Sequence, residues 1–169
     1  MKKFAIEIKW GIIISVAQLL WMLLEKQLGY HDEKIKWHML FSLLFIFPLF
    51  LIYYFALYNK KKAYYNNEMT WMQGVTTSIG IAVVVALLSP FSQFISYEIV
   101  SPSYFENMVN YMVSTNKFTM ETAQNNFNLS SAIWQNISSG LSSGLVVGAL
   151  IAYFLRTKKT DINQTNTNN

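Results

Sequence analysis

The side chains best suited to chemistry lie close together in the first quarter of the chain. They are two acids and the only two histidines of the sequence: Glu25, His31, Asp32 and His38. Imidazole nitrogens and carboxylate oxygens are ligands of divalent metal ions, so both histidines with Glu25 could form a metal site. Spacing alone does not bring three ligands together, because residues seven apart share a face only in a continuous helix. The sequence therefore favours an interfacial loop without a metal, in which Asp32 or His31 caps the next helix.

Other motifs that carry chemistry are missing from the sequence. The chain has no cysteine, which excludes disulfides, thiolate zinc sites and cysteine nucleophiles. It contains no phosphate-binding loop, no dinucleotide-binding glycine motif and no zinc-protease helix. We therefore expect neither enzymatic activity nor a cofactor. The net charge of +4 comes from basic residues in short flanks, a distribution that gives no indication of a nucleic-acid partner.

The elements that position these residues are strongly apolar. The chain is 53% hydrophobic and only 13% charged, whereas an ordinary soluble domain has about 25% charged residues. Four runs contain no Asp, Glu, Lys or Arg: 10–24, 37–59, 69–97 and 132–155. A helix needs about 20 residues to cross the hydrocarbon core of a bilayer. The last three runs are long enough by themselves.

The first run is shorter and has two interpretations. If Glu7 and Glu25 lie at the two membrane boundaries, the helix between them is about 27 Å long and crosses the bilayer. Lys3, one turn before Glu7, is then the partner that we expect for that carboxylate. The alternative is a cleaved signal peptide with a small-residue site at 15–17. We disfavour it because apolar sequence continues through residue 24.

Within each run the apolar sequence is continuous. It therefore favours helices over membrane strands, in which apolar and polar residues alternate. We therefore predict an all-α polytopic membrane protein, an antiparallel bundle of four transmembrane helices in a single domain, 1–158. The expected spans are 7–28, 37–58, 71–97 and 131–155. Pro48 and Pro90 should bend the second and third of these helices. The Asn- and Thr-rich tail, 159–169, is expected to be disordered and cytoplasmic.

The orientation follows from the basic residues. Nine of the 13 Lys and Arg residues lie in the N-terminal flank, the loop after the second span and the C-terminal flank. The positive-inside rule then places both termini in the cytoplasm, at a bacterial inner membrane, and leaves 101–129 outside. Helical periodicity in that segment predicts an external helical hairpin between helices 3 and 4, with Thr119 capping its second helix. Its apolar face should cover its own bundle; the membrane surface or a partner are the alternatives.

Small residues recur at every fourth position of the third and fourth spans. The positions are Gly74, Ser78, Ala82 and Ala86 in one span and Gly140, Gly144, Gly148 and Ala152 in the other. Residues four apart share a helix face, and a small-residue face lets two helices approach closely within lipid. We interpret this pattern as contact of the fourth span with the third in one chain. A seam between copies in a homo-oligomer is the alternative.

Several short segments together resemble a known family. They are E-I-K-W-G at 7–11, W-M-L-L-E-K-Q-L-G-Y-H-D at 21–32, Tyr64-Tyr65, Gln73-Gly74, Ser89-Pro90, Tyr104-Phe105-Glu106 and the segment 119–127. In this order and spacing they resemble a bacterial membrane-protein family known as domain of unknown function 4199, over nearly the whole chain. The resemblance implies four membrane helices and no established activity. The chain has Glu121-Thr122 where the resemblance implies an acidic pair, a departure that affects surface charge.

Two functional hypotheses follow from the sequence. The first is a non-enzymatic interaction or assembly component, whose partners are the lipid bilayer and either a second copy of the chain or a periplasmic protein. The second is a small oligomeric transporter or ion pathway, with Glu25 and the two histidines at its outer entrance. A membrane-bound hydrolase is the least favoured class, because no nucleophile motif is present.

Overall fold

The computed structural model describes residues 4–157, and this part of the chain contains helices and no β-strand. The predicted disordered tail, 159–169, lies outside the described residues. The α-helices, in chain order, are α1 (Ala5–Gln27), α2 (His38–Leu43), α3 (Ile46–Ala63), α4 (Trp71–Phe94), α5 (Tyr104–Ser114), α6 (Met120–Asn126) and α7 (Leu129–Leu155). A 3₁₀ turn at Ile35–Trp37 precedes α2, and a π-helical segment at Ile95–Val100 continues α4.

Four helical stretches are long and apolar enough to cross a membrane. They are Ala5–Gln27, Ile35–Ala63, Trp71–Val100 and Leu129–Leu155. Large apolar side chains cover much of their outer surface; Leu87 and Phe91, for example, are each 71% exposed. A water-soluble domain rarely leaves so much contiguous apolar surface unpaired, whereas lipid tails solvate it. These helices therefore indicate a membrane protein.

The small-residue faces of α4 and α7 meet each other. A Cβ atom added to Gly74 would lie 2.6 Å from the Ala152 Cβ, and one added to Gly144 would lie 2.6 Å from the Ala82 Cβ. Between these two contacts, Gly148 lies against Ser78. From one pair to the next, the residue numbers increase along α4 and decrease along α7, so these two helices run antiparallel. Their backbones approach closely enough to gain dispersion contacts that lipid cannot replace.

The close approach ends before the last predicted pair. A Cβ atom added to Gly140 would have the Val85 Cγ1 as its nearest neighbour, 3.9 Å away, which is ordinary van der Waals contact. Ala86 is only half-buried. The seam between α4 and α7 is therefore tight from Gly74 to Ala82 and looser beyond, toward the start of α7.

The helices α1 and α3 complete an apolar core against this pair. Tyr53 is the largest fully buried apolar side chain, and its hydroxyl oxygen would lie 2.6 Å from a Cβ added to Gly144. The glycine therefore provides the space that the tyrosine ring fills. The other members of the core include Ile14, Leu49, Ala56, Leu57, Ile81, Val85, Val147 and Ile151.

Pro48 and Pro90, the two prolines expected to bend helices, have different effects. The helical hydrogen-bond pattern is interrupted at Leu44 and Phe45, which separates α2 from α3 just before Pro48. This break fits the missing N–H of Pro48 and the clash of its ring with the carbonyl of Leu44, four residues earlier. In contrast, α4 continues through Pro90 to Phe94. Only the first proline coincides with an end of a helix.

One buried ion pair joins the start of α1 to the end of α3. The Lys60 Nζ lies 2.7 Å from the Glu7 Oε1, and both residues are at most 5% exposed. Lys3, the partner expected from the sequence, lies outside the described residues. The second carboxylate oxygen of Glu7 is buried and has no hydrogen-bond partner among residues 4–157. We refer to this end of the molecule as the Lys60 end.

The α4–α7 contact predicts that identical substitutions at two glycines of α7 differ in effect. Gly148→Ala places a methyl group on Ser78 and should lower the free energy of unfolding by about 1–3 kcal/mol. Gly140→Ala, the matched control, has space for its methyl group and should leave stability unchanged or slightly higher. Tryptophan fluorescence during titration of micelles with sodium dodecyl sulfate measures both. Equal midpoints for the two variants would contradict this account of the seam.

The ion pair predicts an asymmetry between single and double substitution. Lys60→Met keeps an unbranched side chain only one atom shorter but leaves the Glu7 carboxylate buried without its cation, which should cost about 3–5 kcal/mol. The double variant Glu7→Gln/Lys60→Met carries no buried charge and should recover most of that loss. The same unfolding titration gives both values, and a Lys60→Met protein as stable as the original would contradict the prediction.

Candidate functional site

Three titratable side chains converge at the opposite end of α1, which we call the Glu25 end. Glu25 lies in the last turn of α1, His31 in the following loop and His38 at the first position of α2. One ligand-type atom from each residue lies within 4.8 Å of the others. Three of the four residues singled out in the sequence are therefore neighbours in space. We call these three the Glu–His–His cluster.

A glycine turn brings His31 back over Glu25. The N–H of Gly29 donates to the Lys26 carbonyl, and the N–H of Tyr30 donates to the Glu25 carbonyl, both at 2.9 Å. This pair of bonds is the Schellman motif, whose residue after the cap adopts a left-handed conformation. Gly29 has φ +82°, which a residue with a side chain adopts only with strain. The chain therefore reverses at Gly29, and His31 is folded into the interior.

The two carboxylate oxygens of Glu25 have different neighbours. Its Oε1 accepts hydrogen bonds from the Ser42 hydroxyl at 2.5 Å and from the Trp21 indole at 3.1 Å. Its Oε2 faces the histidines, at 3.6 Å from the His31 Nε2 and 3.6 Å from the His38 Nε2. Glu25 is 4% exposed and His31 is fully buried, while His38 is half-buried. The cluster is therefore screened from solvent on most sides.

Hydroxyl groups hold the other nitrogen of each imidazole. The His31 Nδ1 lies 2.9 Å from the Ser101 Oγ, and the His38 Nδ1 lies 3.2 Å from the Tyr104 hydroxyl. Burial raises the pKa of Tyr104 above its usual value, so that hydroxyl keeps its proton. The Ser42 Oγ also lies 3.3 Å from the His38 Nε2. These contacts fix both ring orientations and direct both Nε2 atoms toward Glu25.

Asp32 lies outside the cluster, and the expectation that Asp32 or His31 caps the next helix is wrong. The Asp32 carboxylate accepts from the Asn107 amide at 2.9 Å, and the same amide donates to the His31 carbonyl at 3.0 Å. Neither the 3₁₀ turn nor α2 has a side-chain cap. The reason is that Asp32 is used to tie the loop to α5, while His31 turns inward. In contrast, Thr119 caps α6 as expected, since its side chain accepts from the Thr122 N–H.

The helix α5 covers the cluster through Tyr104, and α6 packs against α5. Their buried face packs against the loop before α2 and against Tyr97 of the π-helical segment, whose ring stacks on that of Tyr104 at 4.9 Å. The apolar residues that make up this contact are Tyr104, Met108, Val109, Met112 and Ala123, with Ile35 and Phe127 at its edge. The apolar face of α5 is therefore occupied by the chain itself.

Two cavities adjoin the cluster. The larger, of about 860 Å³, lies beneath α5 and α6 and reaches the loose end of the α4–α7 seam. The smaller, of about 190 Å³, extends from Glu25 between α1 and α4 and is lined by Gln18, Ser92 and Ser96. His38, Gln93 and Asn136 border both cavities. The Asn136 Oδ1 is buried and has no hydrogen-bond partner in the described part of the chain.

Sequence reasoning found the cluster but missed the residues that support it. Ser101 and Tyr104 contact the histidines from 70 and 66 residues away, and no local pattern connects them. Trp21 and Ser42 are different, because each lies one helical turn from a cluster residue, at four positions from Glu25 and His38. Helical periodicity alone could have placed those two side chains beside the cluster.

The eight small residues of the third and fourth spans lie away from this cluster. Six of them form the tight seam described above, on the Lys60 side of the cavities: Gly74, Ser78, Ala82, Gly144, Gly148 and Ala152. Gly140 and Ala86 lie outside this tight seam, where the contact between the two helices is looser. The seam positions the site without contributing a ligand to it.

Comparison with known proteins identifies a family to which the chain is similar. A family model described as "Protein of unknown function (DUF4199)" matches residues 9–157. No curated protein and no solved structure matches the chain. The matched region contains α2–α7, most of α1 and the complete Glu–His–His cluster. Because the match covers most of the 169 residues, the chain belongs to the family of proteins of unknown function named DUF4199.

Proposed function

We propose that this protein is a non-enzymatic interaction component of the membrane, which binds a ligand or partner segment at its Glu25 end. The observation that carries the proposal is the larger cavity beneath α5 and α6. Binding sites are typically concave and mostly apolar, with a few polar groups that fix orientation. Met108, Met112 and Phe127 supply apolar walls here, while Gln93 and Asn136 supply amide groups.

The topology that we propose is an antiparallel four-helix transmembrane bundle of the bacterial inner membrane, with α5 and α6 as an external helical hairpin. The basic residues support this orientation. The Lys61 ammonium donates to the Leu155 carbonyl at 2.8 Å, so the basic end of α3 and the end of α7 are neighbours. Lys60, Lys62 and Arg156 belong to the same end of the molecule. The positive-inside rule makes that end cytoplasmic and the Glu25 end external.

The unpaired amide oxygen of Asn136 supports a binding role for the cavity. A buried polar atom without a partner is unfavourable, because it loses its hydrogen bonds to water. A bound molecule with a hydrogen-bond donor would satisfy it. Since the cavity also has methionine and phenylalanine walls, we infer that the occupant has an apolar part and a polar group.

The non-enzymatic assignment rests on how the candidate nucleophile is held. Ser42 lies near the His38 Nε2, but its hydroxyl donates to Glu25 at the shorter distance of 2.5 Å. Ser42 also lies inside α2, where backbone N–H groups are engaged in the helix and do not form an oxyanion hole. The geometry therefore supports binding better than acyl transfer.

The alternative is a small oligomeric transporter or ion pathway with its Glu/His entrance at the external end. The smaller cavity favours it, because Gln18, Ser92 and Ser96 continue the polar lining from Glu25 into the bundle. Toward the Lys60 end, however, Ile14, Ile81 and Val85 belong to the buried apolar core. A pathway through one chain would have to open this layer, so we rank transport second.

Reporter fusions test the proposed orientation. Alkaline phosphatase folds to an active enzyme only outside the cytoplasm, so a fusion after Lys117 should be active and one after Lys62 inactive. The physical reason is the charge bias, which retains the Lys60–Lys62 loop inside. Fusions of a cytoplasmically active reporter at the same positions are the control and should give the opposite pattern. An active phosphatase after Lys62 would overturn the orientation.

Two neighbouring serines of α7 provide a matched test of the cavity. Both are exposed, but Ser139 lines the cavity and Ser138 does not. Ser139→Trp should fill the space and remove a bound molecule, while Ser138→Trp should leave binding unchanged. Native mass spectrometry of protein extracted in lipid nanodiscs measures the additional mass of any molecule bound to each protein. If this additional mass is the same for the original protein and both variants, the binding role of the cavity is wrong.

A further inference from the structure

We propose that Glu25, His31 and His38 bind one divalent transition-metal ion of the Zn²⁺ class at the external end of α1. This inference goes beyond the proposed binding role and does not depend on it, because the three ligands come from α1, the following loop and α2 alone. Two imidazoles and a carboxylate are a ligand set that zinc and neighbouring first-row ions accept.

The first argument is the spacing of the three ligand atoms. The Glu25 Oε2 lies 3.6 Å from each histidine Nε2. That distance is too long for a hydrogen bond, which joins nitrogen and oxygen at about 2.7–3.2 Å. Ligands bound to tetrahedral zinc at about 2.0–2.2 Å lie about 3.4 Å from one another. The two Glu–His distances therefore leave room for an ion between these atoms, and all three ligand atoms lie within 4.8 Å of one another.

The second argument is an unpaired nitrogen in the interior. The His31 Nε2 is buried and has no hydrogen-bond partner in the part of the chain that the structure describes. His31 itself is fully buried. Native proteins seldom leave a buried ring nitrogen unsatisfied, and such a group calls for a specific explanation. An ion bound between His31 and Glu25 would occupy this position.

The third argument is the set of hydrogen bonds behind the ligands. A histidine that binds a metal through one ring nitrogen normally donates the other N–H to a fixed acceptor, which orients the ring. Ser101 provides that acceptor for His31, and Tyr104 provides it for His38. The Oε1 of Glu25 is held by Ser42 and Trp21. All three ligands are thus oriented by side chains outside the cluster, and Ser42 also lies 3.3 Å from the His38 Nε2.

The site also has an open side. His38 and Glu25 both border the smaller cavity, and His38 borders the larger one. Three protein ligands with a cavity beside them leave one coordination position for water or for a molecule bound in the cavity. The metal would therefore connect α1 and α2 mechanically and present a Lewis-acidic position to the space beneath α5 and α6.

The composition of the chain makes the proposal easy to test. The sequence has no cysteine and only two histidines, both of which belong to the cluster. No other histidine or thiolate in the chain can bind Zn²⁺ in their place. The full-length protein, carrying an affinity tag without histidine, is purified in detergent, treated with a chelator and titrated with Zn²⁺ by calorimetry. Co²⁺ is used in parallel, because its visible absorption reports nitrogen and oxygen ligands in tetrahedral geometry.

We expect one equivalent of Zn²⁺ per chain, and no detectable equivalent after Glu25→Gln or His38→Ala. Asp32→Asn is the matched control, since it removes a carboxylate next to His31 that lies outside the cluster, and it should bind as the original protein does. Tyr104→Phe keeps all three ligands and the ring contacts but removes the hydroxyl behind His38. It should bind about 10-fold more weakly, with a shifted Co²⁺ spectrum.

Two results would overturn the assignment. One is the absence of binding to the original protein at micromolar Zn²⁺, which would leave the cluster as a metal-free contact between Glu25 and the two histidines. The other is one equivalent retained by the His38→Ala protein. Loss of binding by Glu25→Gln or His38→Ala could also come from a failure to fold. Tyr104→Phe keeps all three ligands, so weaker binding with a shifted Co²⁺ spectrum in this variant reports a change in coordination.

Discussion

The close approach of α4 and α7 is the contact on which the rest of the structure depends. In lipid the removal of apolar surface from water does not drive helices together, so association requires dense van der Waals contact between backbones. Gly74, Ser78, Gly144 and Gly148 allow that contact, and α1 and α3 then pack against the resulting pair. Near Gly140 the small-residue match ends and the contact loosens, although the Ser89 hydroxyl of α4 still donates to the Ile133 carbonyl of α7 at 3.4 Å. The larger cavity lies at this looser end of the pair.

Polar side chains buried in an apolar protein require partners, and α1 carries one acid at each end. Glu7 is paired with Lys60 of α3, while Glu25 faces two histidines and accepts hydrogen bonds from Trp21 and Ser42. The first arrangement neutralises the carboxylate with a fixed cation. The second uses side chains whose charge depends on a proton or on a bound ion. The two ends of α1 are therefore chemically different, although both acids are almost fully buried.

The elements at the Glu25 end form one connected assembly. The Gly29 turn returns His31 to the end of α1, Ser101 and Tyr104 hold the imidazoles, and Asn107 ties the loop to α5. Tyr104 of α5, which holds the His38 ring, also forms part of the wall of the larger cavity. A displacement of His38 would therefore move Tyr104, which is hydrogen-bonded to it, and so change the shape of the larger cavity. This connection gives the proposed binding role and the proposed metal site a shared structural basis.

Local chemistry in the sequence determined the helical class, the four apolar stretches, the Thr119 cap and the positions of the small residues. Each of these follows from side chains within a few turns of one another, because hydrocarbon solvation and helical periodicity act locally. Membership of the family was also readable from the order of short segments. Only the tertiary structure decided that Lys60 pairs with Glu7, that Asp32 contacts Asn107 instead of capping a helix, and that Ser101 and Tyr104 orient the histidines. These contacts join residues 53 to 75 positions apart, and their geometry is set by how whole helices pack, which no local pattern encodes.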